Sequence, residues 1–366
     1  MDATGQRLAA WAVVAGVILA VVGARLAFLY EPYTFLIGDC PYYAETAISI
    51  LTDGDLDLRN QLKGGVEAHE RQIALGASGA WHPKHPILMP LLTVPLLPLF
   101  GMNSFLLFNV IVLVALAVTL CELAALAARR SSAAAGALAT VLGSFLILYD
   151  YNYSPDLFAG LLLALAVLAA FRDRMAVSGL MAGLAAFART SNLLILPILF
   201  GYALWKRKVK GAALFSVMMA LPLLAQGGLN WWMFGSPFTS PYTRIIVLAG
   251  DQIAVRSHMG DFNLPIGEGI RGQILEPGKG LLWTAPILLV ALPGYVLWFR
   301  RSKSQALLCF GIGEFLFLLF SRYRWWGTSH VGNRFLIPLI VLSAPAVACS
   351  VEWAIDRLRP RRGAAP

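Results

Sequence analysis

From Leu8 to Tyr30 the chain runs 23 residues with Arg25 as its only charge, and from Asn103 to Ala128 a second run carries only Glu122. Crossing the hydrocarbon of a bilayer takes about 20 mostly apolar residues. A span in lipid must satisfy every backbone polar group internally, so it is a helix or part of a closed barrel. The runs are continuous rather than alternating, which excludes a barrel. Residues of the AVILMFWYC set make up 58% and charged residues 13%, against about 45–50% and about 25% in soluble domains. A soluble chain of 366 residues has no way to hide that much apolar surface. A cytosolic enzyme, a disordered chain and a secreted disulfide scaffold are excluded. The reading is an all-α polytopic membrane protein, with residues 1–366 as one integral membrane module.

Apolar patterning predicts ten spans, at 8–30, 103–128, 131–149, 155–171, 175–188, 191–205, 211–232, 280–299, 304–320 and 334–354. The first is expected to be a retained helix rather than a cleaved signal. Residues 86–100 are apolar but contain Pro86, Pro90, Pro95 and Pro98, so they read as an interfacial or re-entrant stretch. The net charge is +9, which in a soluble chain would suggest nucleic acid. Here 16 of the 29 Lys and Arg residues fall in the short inter-span segments around Arg7, Arg129, Arg172, Lys206 and Arg300 and in the basic tail 355–366. That is the positive-inside pattern. It marks the cytoplasmic side, places both termini there, and removes nucleic acid as a partner.

The opposite face carries loops 31–102, 233–279 and 321–333. They hold all five histidines and 12 of the 20 carboxylates, so the working surface is expected outside the cytoplasm. Cys121, Cys309 and Cys349 lie in apolar spans and Cys40 stands alone, so neither a disulfide framework nor a C-x-x-C site is present. No internal repeat supports an inverted-repeat transporter.

The first outer loop begins with Gly38-Asp39-Cys40-Pro41-Tyr42-Tyr43, and residues 41–52 have helical spacing. A helix lying along the interface is expected there. Asp39 directly precedes it and fits two roles, an N-cap or a carboxylate available for chemistry. Glu122 and Glu314 lie within spans, where each needs a partner or a cavity.

Five segments together resemble the GT-C superfamily of polyprenyl-phosphate-sugar glycosyltransferases, which includes the protein O-mannosyltransferases and the aminoarabinose transferases of lipid A. They are Gly38-Asp39 with Tyr42-Tyr43 and Gly54-Asp55-Leu56; Lys84-His85-Pro86 leading to Leu99-Phe100-Gly101; Tyr153-Ser154-Pro155-Asp156; Asn230 with Phe234-Gly235-Ser236-Pro237 and Tyr242; and Trp325-Trp326-Gly327 with Gly332-Asn333-Arg334-Phe335-Leu336-Ile337-Pro338. Their order covers about residues 8 to 350. Two departures accompany the resemblance. Cys40 stands where many relatives have a second acid, and the chain is expected to lack the C-terminal soluble domain that many relatives carry.

The resemblance implies sugar transfer from a polyprenyl phosphate to an acceptor hydroxyl of a lipid, glycan or protein, with inversion, on the outer face of the cytoplasmic membrane. Such a reaction needs a carboxylate to take the acceptor proton, cations to hold the departing phosphate, and an apolar groove for the isoprenoid. By resemblance and position Asp39 is the base and Asp156 a second catalytic candidate. Lys84, His82, His85 and Arg334 are the phosphate-binding candidates. Tyr42, Tyr43, Trp326, His330 and Arg244 are weaker substrate-binding candidates. A divalent cation is left open; Asp53, Asp55 and Asp57 form a D-x-D-x-D run whose glycine-containing setting suits a turn better than a Ca²⁺ or Mg²⁺ site. Two other classes remain beside the enzyme: a transporter or flippase for a lipid-linked saccharide, and a non-catalytic membrane partner in polysaccharide assembly.

Overall fold

The computed structural model describes residues 3–31, 36–250, 252–328 and 332–358. His330 and the last eight residues of the basic tail lie outside the described residues.

The chain is predominantly helical. In order come α1 (Ala3–Leu29), α2 (Cys40–Thr52), β1 (Ile73–Leu75), β2 (Trp81–Pro83), α3 (Leu88–Thr93), α4 (Leu97–Phe100), α5 (Asn103–Ala124) and α6 (Arg130–Leu142). Then follow α7 (Pro155–Phe171), α8 (Met175–Ala188), α9 (Leu196–Phe234), β3 (Ile245–Ala249), β4 (Gln252–Arg256), α10 (Ile266–Leu275), α11 (Leu281–Thr284), α12 (Ile287–Arg301), α13 (Lys303–Phe320) and α14 (Ile337–Leu358).

By length and composition, five helical segments of the described residues suffice to cross a membrane: Ala3–Leu29, Asn103–Ala124, Thr190–Phe234, Lys303–Phe320 and Arg334–Leu358. A sixth arises if Arg130–Leu142 and Phe145–Tyr151, bent by 65°, form one broken span. The expected ten are therefore not reached on these criteria. Helices α7, α8 and α12 have 17, 14 and 15 residues. Helix α7 is buried at every position except Leu165 and Phe171, so protein rather than lipid surrounds it. Helix α9 is interrupted at Lys208, whose φ of 54° is not helical, and the basic segment expected between two spans sits at that break. Residues 88–100 form three short helical pieces rather than one crossing.

Helix α14 is the centre of the core. It packs against α12, α6, α13, α5 and α7, and its residues from Ile337 to Ser350 are almost all buried. Close approach needs small residues: a Cβ on Gly294 of α12 would lie 1.8 Å from the Ala346 carbonyl oxygen of α14.

The buried glutamates find partners at the ends of these helices. Glu122, at the end of α5, pairs with Arg7, Arg130 and Arg172 and accepts the Trp11 indole N–H at 2.9 Å. Glu352, late in α14, pairs with Arg129 and Arg301. The expected basic face thus closes around two carboxylates. Arg334 is 18 residues before Glu352 on the α14 segment, about 27 Å at 1.5 Å per residue. The basic face and the opposite face are separated by about the thickness of a bilayer core.

One feature departs from an all-helical reading. Loop strands form a four-stranded antiparallel sheet in the order β2-β1-β3-β4. Ala74 pairs with Ile245, which ties the first outer loop to the second. The strands are three to five residues long, too short for an alternating pattern to stand out between longer apolar runs.

Candidate active site

Asp39 occupies the N-cap position of α2, but its side chain makes no capping bond. Gly38 adopts φ of 62°, a conformation that costs a glycine little, in the turn that leads into α2. The Asp39 carboxylate meets Arg334 instead, whose Nη2 donates to Oδ2 at 2.8 Å. Lys84 Nζ lies 3.9 Å and His85 Nε2 3.8 Å from Oδ1. Three segments far apart in sequence converge on this carboxylate.

Each partner is itself fixed. Lys84 is buried and donates to the Arg71 carbonyl and to Gln72 Oε1, both at 2.8 Å. His85 stacks on Tyr43 at 4.7 Å between ring centroids, and its Nδ1 lies 3.0 Å from the Tyr242 hydroxyl. Cys40 places its thiol 3.2 Å from Asn152 Oδ1, as donor.

These contacts set the protonation states. Burial alone would raise the Asp39 carboxyl, but His85, Lys84 and Arg334 outweigh it and hold the group well below the usual carboxylate range. Burial pulls the Lys84 ammonium down to about 8, with Asp39 opposing and Arg334 adding to the shift. Burial and the Lys84 charge pull His85 down to about 4. At neutral pH the centre therefore holds an ionised Asp39, a charged Lys84 and a neutral His85.

The cluster lines a cavity of about 700 Å³ whose walls also include Tyr43, Asp156, Arg189, Tyr242, His258 and Tyr323. Its lining also includes Leu193, Leu194, Leu319 and Phe320 from the apolar helical segments, and Ile245 and Val247 of the sheet. Asp156 lies in the first turn of α7 and pairs with Arg189. The guanidinium groups of Arg189 and Arg334 lie 4.7 and 5.5 Å from the Phe335 ring centroid.

Of the residues expected from sequence, Asp39, Tyr43, Lys84, His85, Asp156 and Arg334 line this one cavity. Of the others, those among the described residues do not line it. His82 is buried with Nδ1 2.9 Å from the Leu56 carbonyl and its ring against Trp232 and Phe234. Tyr42 directs its hydroxyl to His69 Nδ1 at 3.1 Å. Arg244 donates to the Leu75 carbonyl at 3.1 Å. Trp326 is buried where a Cβ on Gly272 would strike it. Sequence reasoning left Arg189 outside the site; the signal was a lone arginine between two apolar runs, which demands a partner. Tyr242 appears in the resemblance but not among the expected site residues.

Among the described residues no group of three or more His, Cys, Asp or Glu side chains is gathered to hold a metal. The D-x-D-x-D acids are engaged separately: Asp55 with Ser49 and the Asp57 amide, Asp57 with Arg59 and the Trp81 amide.

Comparison with known proteins adds three findings. A family model of glycosyltransferase family 87 matches residues 85–322. The fold is similar to that of ArnT from Cupriavidus metallidurans bound to undecaprenyl phosphate, with a TM-score of 0.61 and 17% identity over 98% of this chain and 62% of that one. It is also similar to the oligosaccharyltransferase AglB from Archaeoglobus fulgidus in complex with an inhibitory peptide and a dolichol-phosphate, with a TM-score of 0.58 and 11% identity over 96% of this chain and 50% of that one. The chain thus spans less than two thirds of the length of either. No curated protein matches the chain.

Proposed function

The chain belongs to glycosyltransferase family 87, and on that premise we propose that it transfers a sugar from a polyprenyl phosphate to an acceptor hydroxyl, with Asp39 as the general base. One observation carries the reading: a partly buried carboxylate faces two cations and a neutral histidine in a single cavity that is also lined by apolar helix residues. The similar structures named above were solved with undecaprenyl phosphate and dolichol-phosphate, which supports a donor of that class.

In this proposal the donor tail stays beside Leu193, Leu194 and Leu319. The phosphate lies against Lys84 and Arg334, whose charges stabilise the developing anion. His85 is held by Tyr43 and Tyr242 beside them. The acceptor oxygen attacks the anomeric carbon while the C–O bond to phosphate breaks. Both bonding electrons leave with the phosphate oxygen, the configuration inverts, and the acceptor proton passes to Asp39. Phosphate is already a good leaving group, so a second carboxylic acid is not required as it is in a glycosidase. Asp156 positions Arg189 at the cavity wall.

Before the donor arrives, Arg334 and Lys84 hold Asp39 ionised and weakly basic. A bound phosphate competes for those cations and releases the carboxylate, so basicity rises only when the donor is in place. The site opens on the extracytoplasmic face of the cytoplasmic membrane, with both termini in the cytoplasm, because the arginine-rich ends of α5 and α14 mark the opposite side.

The test is the purified full chain in lipid nanodiscs with labelled undecaprenyl-phosphate hexoses, matched against the corresponding nucleotide sugars. Product from the lipid donors alone is expected. Product from nucleotide sugars, or from neither, sinks the reading.

A further inference from the structure

A second polar constellation lines the same cavity and is not used by the chemistry above. His258 and Asp261 bracket a short helical turn after β4. Asp261 is only 2% exposed, and its carboxylate is clamped by two donors. His258 Nδ1 lies 2.6 Å from Oδ2 and Arg256 Nη2 2.7 Å from Oδ1. The turn is tied to the third outer loop, since the Arg324 amide donates to the Asp261 carbonyl at 2.9 Å and the Leu264 amide to the Arg322 carbonyl at 3.0 Å. This corner is rigid, built across two loops, and not a solvated turn.

The clamp fixes the chemistry that His258 offers. An ionised Asp261 accepts a hydrogen bond from Nδ1–H, so the neutral ring keeps its lone pair on Nε2. Burial lowers His258 and Lys84 adds to that, while Asp261 opposes it, which favours the neutral ring. His258 stands 6.0 Å, ring to ring, from Tyr242, whose hydroxyl reaches His85. It is therefore one side chain removed from the Asp39 cluster. A lipid donor takes the Asp39 cluster for its phosphate and the apolar lining residues for its tail, which leaves Arg256 and His258 of the same cavity for the second substrate. Arg256 is half exposed, with guanidinium N–H groups beyond the one given to Asp261.

Resting on the transferase reading, we infer that His258 and Arg256, positioned by Asp261, bind the acceptor, and that the acceptor is a carbohydrate presenting neighbouring hydroxyls. His258 Nε2 accepts one hydroxyl proton and Arg256 donates to an adjacent oxygen. A lone alcohol satisfies only one of these two groups, which is the basis of selection for a sugar.

The test separates the two substrates. His258→Asn keeps an N–H near the Nδ1 position for Asp261 and removes the Nε2 lone pair. Arg256→Lys keeps the charge and removes the planar fork. In nanodiscs, both variants are titrated with undecaprenyl phosphate, and their transfer kinetics are measured with a panel of methyl hexosides and with a simple long-chain alcohol. The expected result is an acceptor KM raised at least tenfold for the preferred methyl hexoside, a smaller change in kcat, a narrowed preference over the alcohol, and undecaprenyl phosphate affinity within twofold of wild type. An unchanged KM in both variants overturns the acceptor assignment while leaving the transferase reading intact. Loss of undecaprenyl phosphate binding in either also overturns it, by placing the corner in the donor site. A wild type that transfers to no methyl hexoside overturns the inference as well, and one that uses no lipid donor overturns both readings.

Discussion

Replacing Asp39 with asparagine keeps the side-chain shape and removes both the charge and the proton acceptor, so it separates two effects that pull in opposite directions. The Lys84 ammonium is 3.9 Å from the carboxylate, an attraction of about 4 kcal/mol at an effective dielectric constant of about 20. Arg334 is closer, at 2.8 Å. Measured coupling between close charge pairs runs from about 1.5 to about 7 kcal/mol, so the carboxylate is a real competitor for the phosphate. Without its charge, the two cations are free to bind the donor. Affinity for undecaprenyl phosphate should hold or tighten, by up to about tenfold, or about 1.4 kcal/mol. The same substitution removes general-base catalysis, normally a factor of about 10²–10⁴. The assay pairs calorimetric titration with undecaprenyl phosphate and single-turnover transfer from a labelled lipid donor. The expected signature is a kcat reduced by about two to four orders of magnitude with no loss of affinity. Turnover within a few-fold of wild type would refute the base assignment. Weakened phosphate binding would refute the idea that Asp39 holds the cations in reserve.

Other consequences follow from the same structure. Lys84, with its ammonium lowered to about 8, is charged below that pH and neutral above it, so kcat/KM for the donor should fall as pH rises through about 8. In Lys84→Arg the alkaline limb should disappear, because a guanidinium stays charged; a limb that does not move assigns it to another group. Glu122→Gln strips the shared partner from Arg7, Arg130 and Arg172, whose side chains are 30–40% exposed. Water takes over part of their pairing, so a stability loss of about 1–3 kcal/mol is expected in a thermal melt, with undecaprenyl phosphate affinity retained by the folded fraction. Gly294→Ala forces a methyl against the α14 backbone and should destabilise by about 1–3 kcal/mol. Gly311→Ala, with nothing within 4 Å of the added carbon, is the control; equal melts for the two would show that α12 and α14 do not pack as described.

Much of the architecture was legible from the chain. Apolar runs too long for a soluble core gave a helical membrane protein, and the clustering of arginines gave one basic face. Asp39, Lys84, His85 and Arg334 were singled out in the sequence chiefly by resemblance to the GT-C motifs, and the structure brings the four to one cavity. What eluded the sequence has physical causes. The count of ten spans is not confirmed by helix length and composition, because α7, α8 and α12 are shorter than 18 residues. The sheet was missed because strands of three to five residues leave almost no periodic signal. His82, Tyr42 and Trp326 had the right chemistry for a site, but their hydrogen bonds and packing turn them to the Leu56 carbonyl, His69 and α10. Arg189 could not be assigned without its partner, Asp156, which is 33 positions earlier in the chain.

The sequence by itself determined the solvent. The cost of unsatisfied backbone in lipid and the scarcity of charge permit only a helical bundle with one basic and one chemically equipped face. Which of the equipped residues meet was decided by the tertiary structure alone. A side chain at residue 39 reaches one at 334 because packing brings the segment just before α14 to the start of α2. Likewise His258 shares the cavity of Asp39 because β1 pairs with β3 and so ties the second outer loop to the first. Contacts between such distant positions depend on packing angles and loop closure, which local periodicity does not encode.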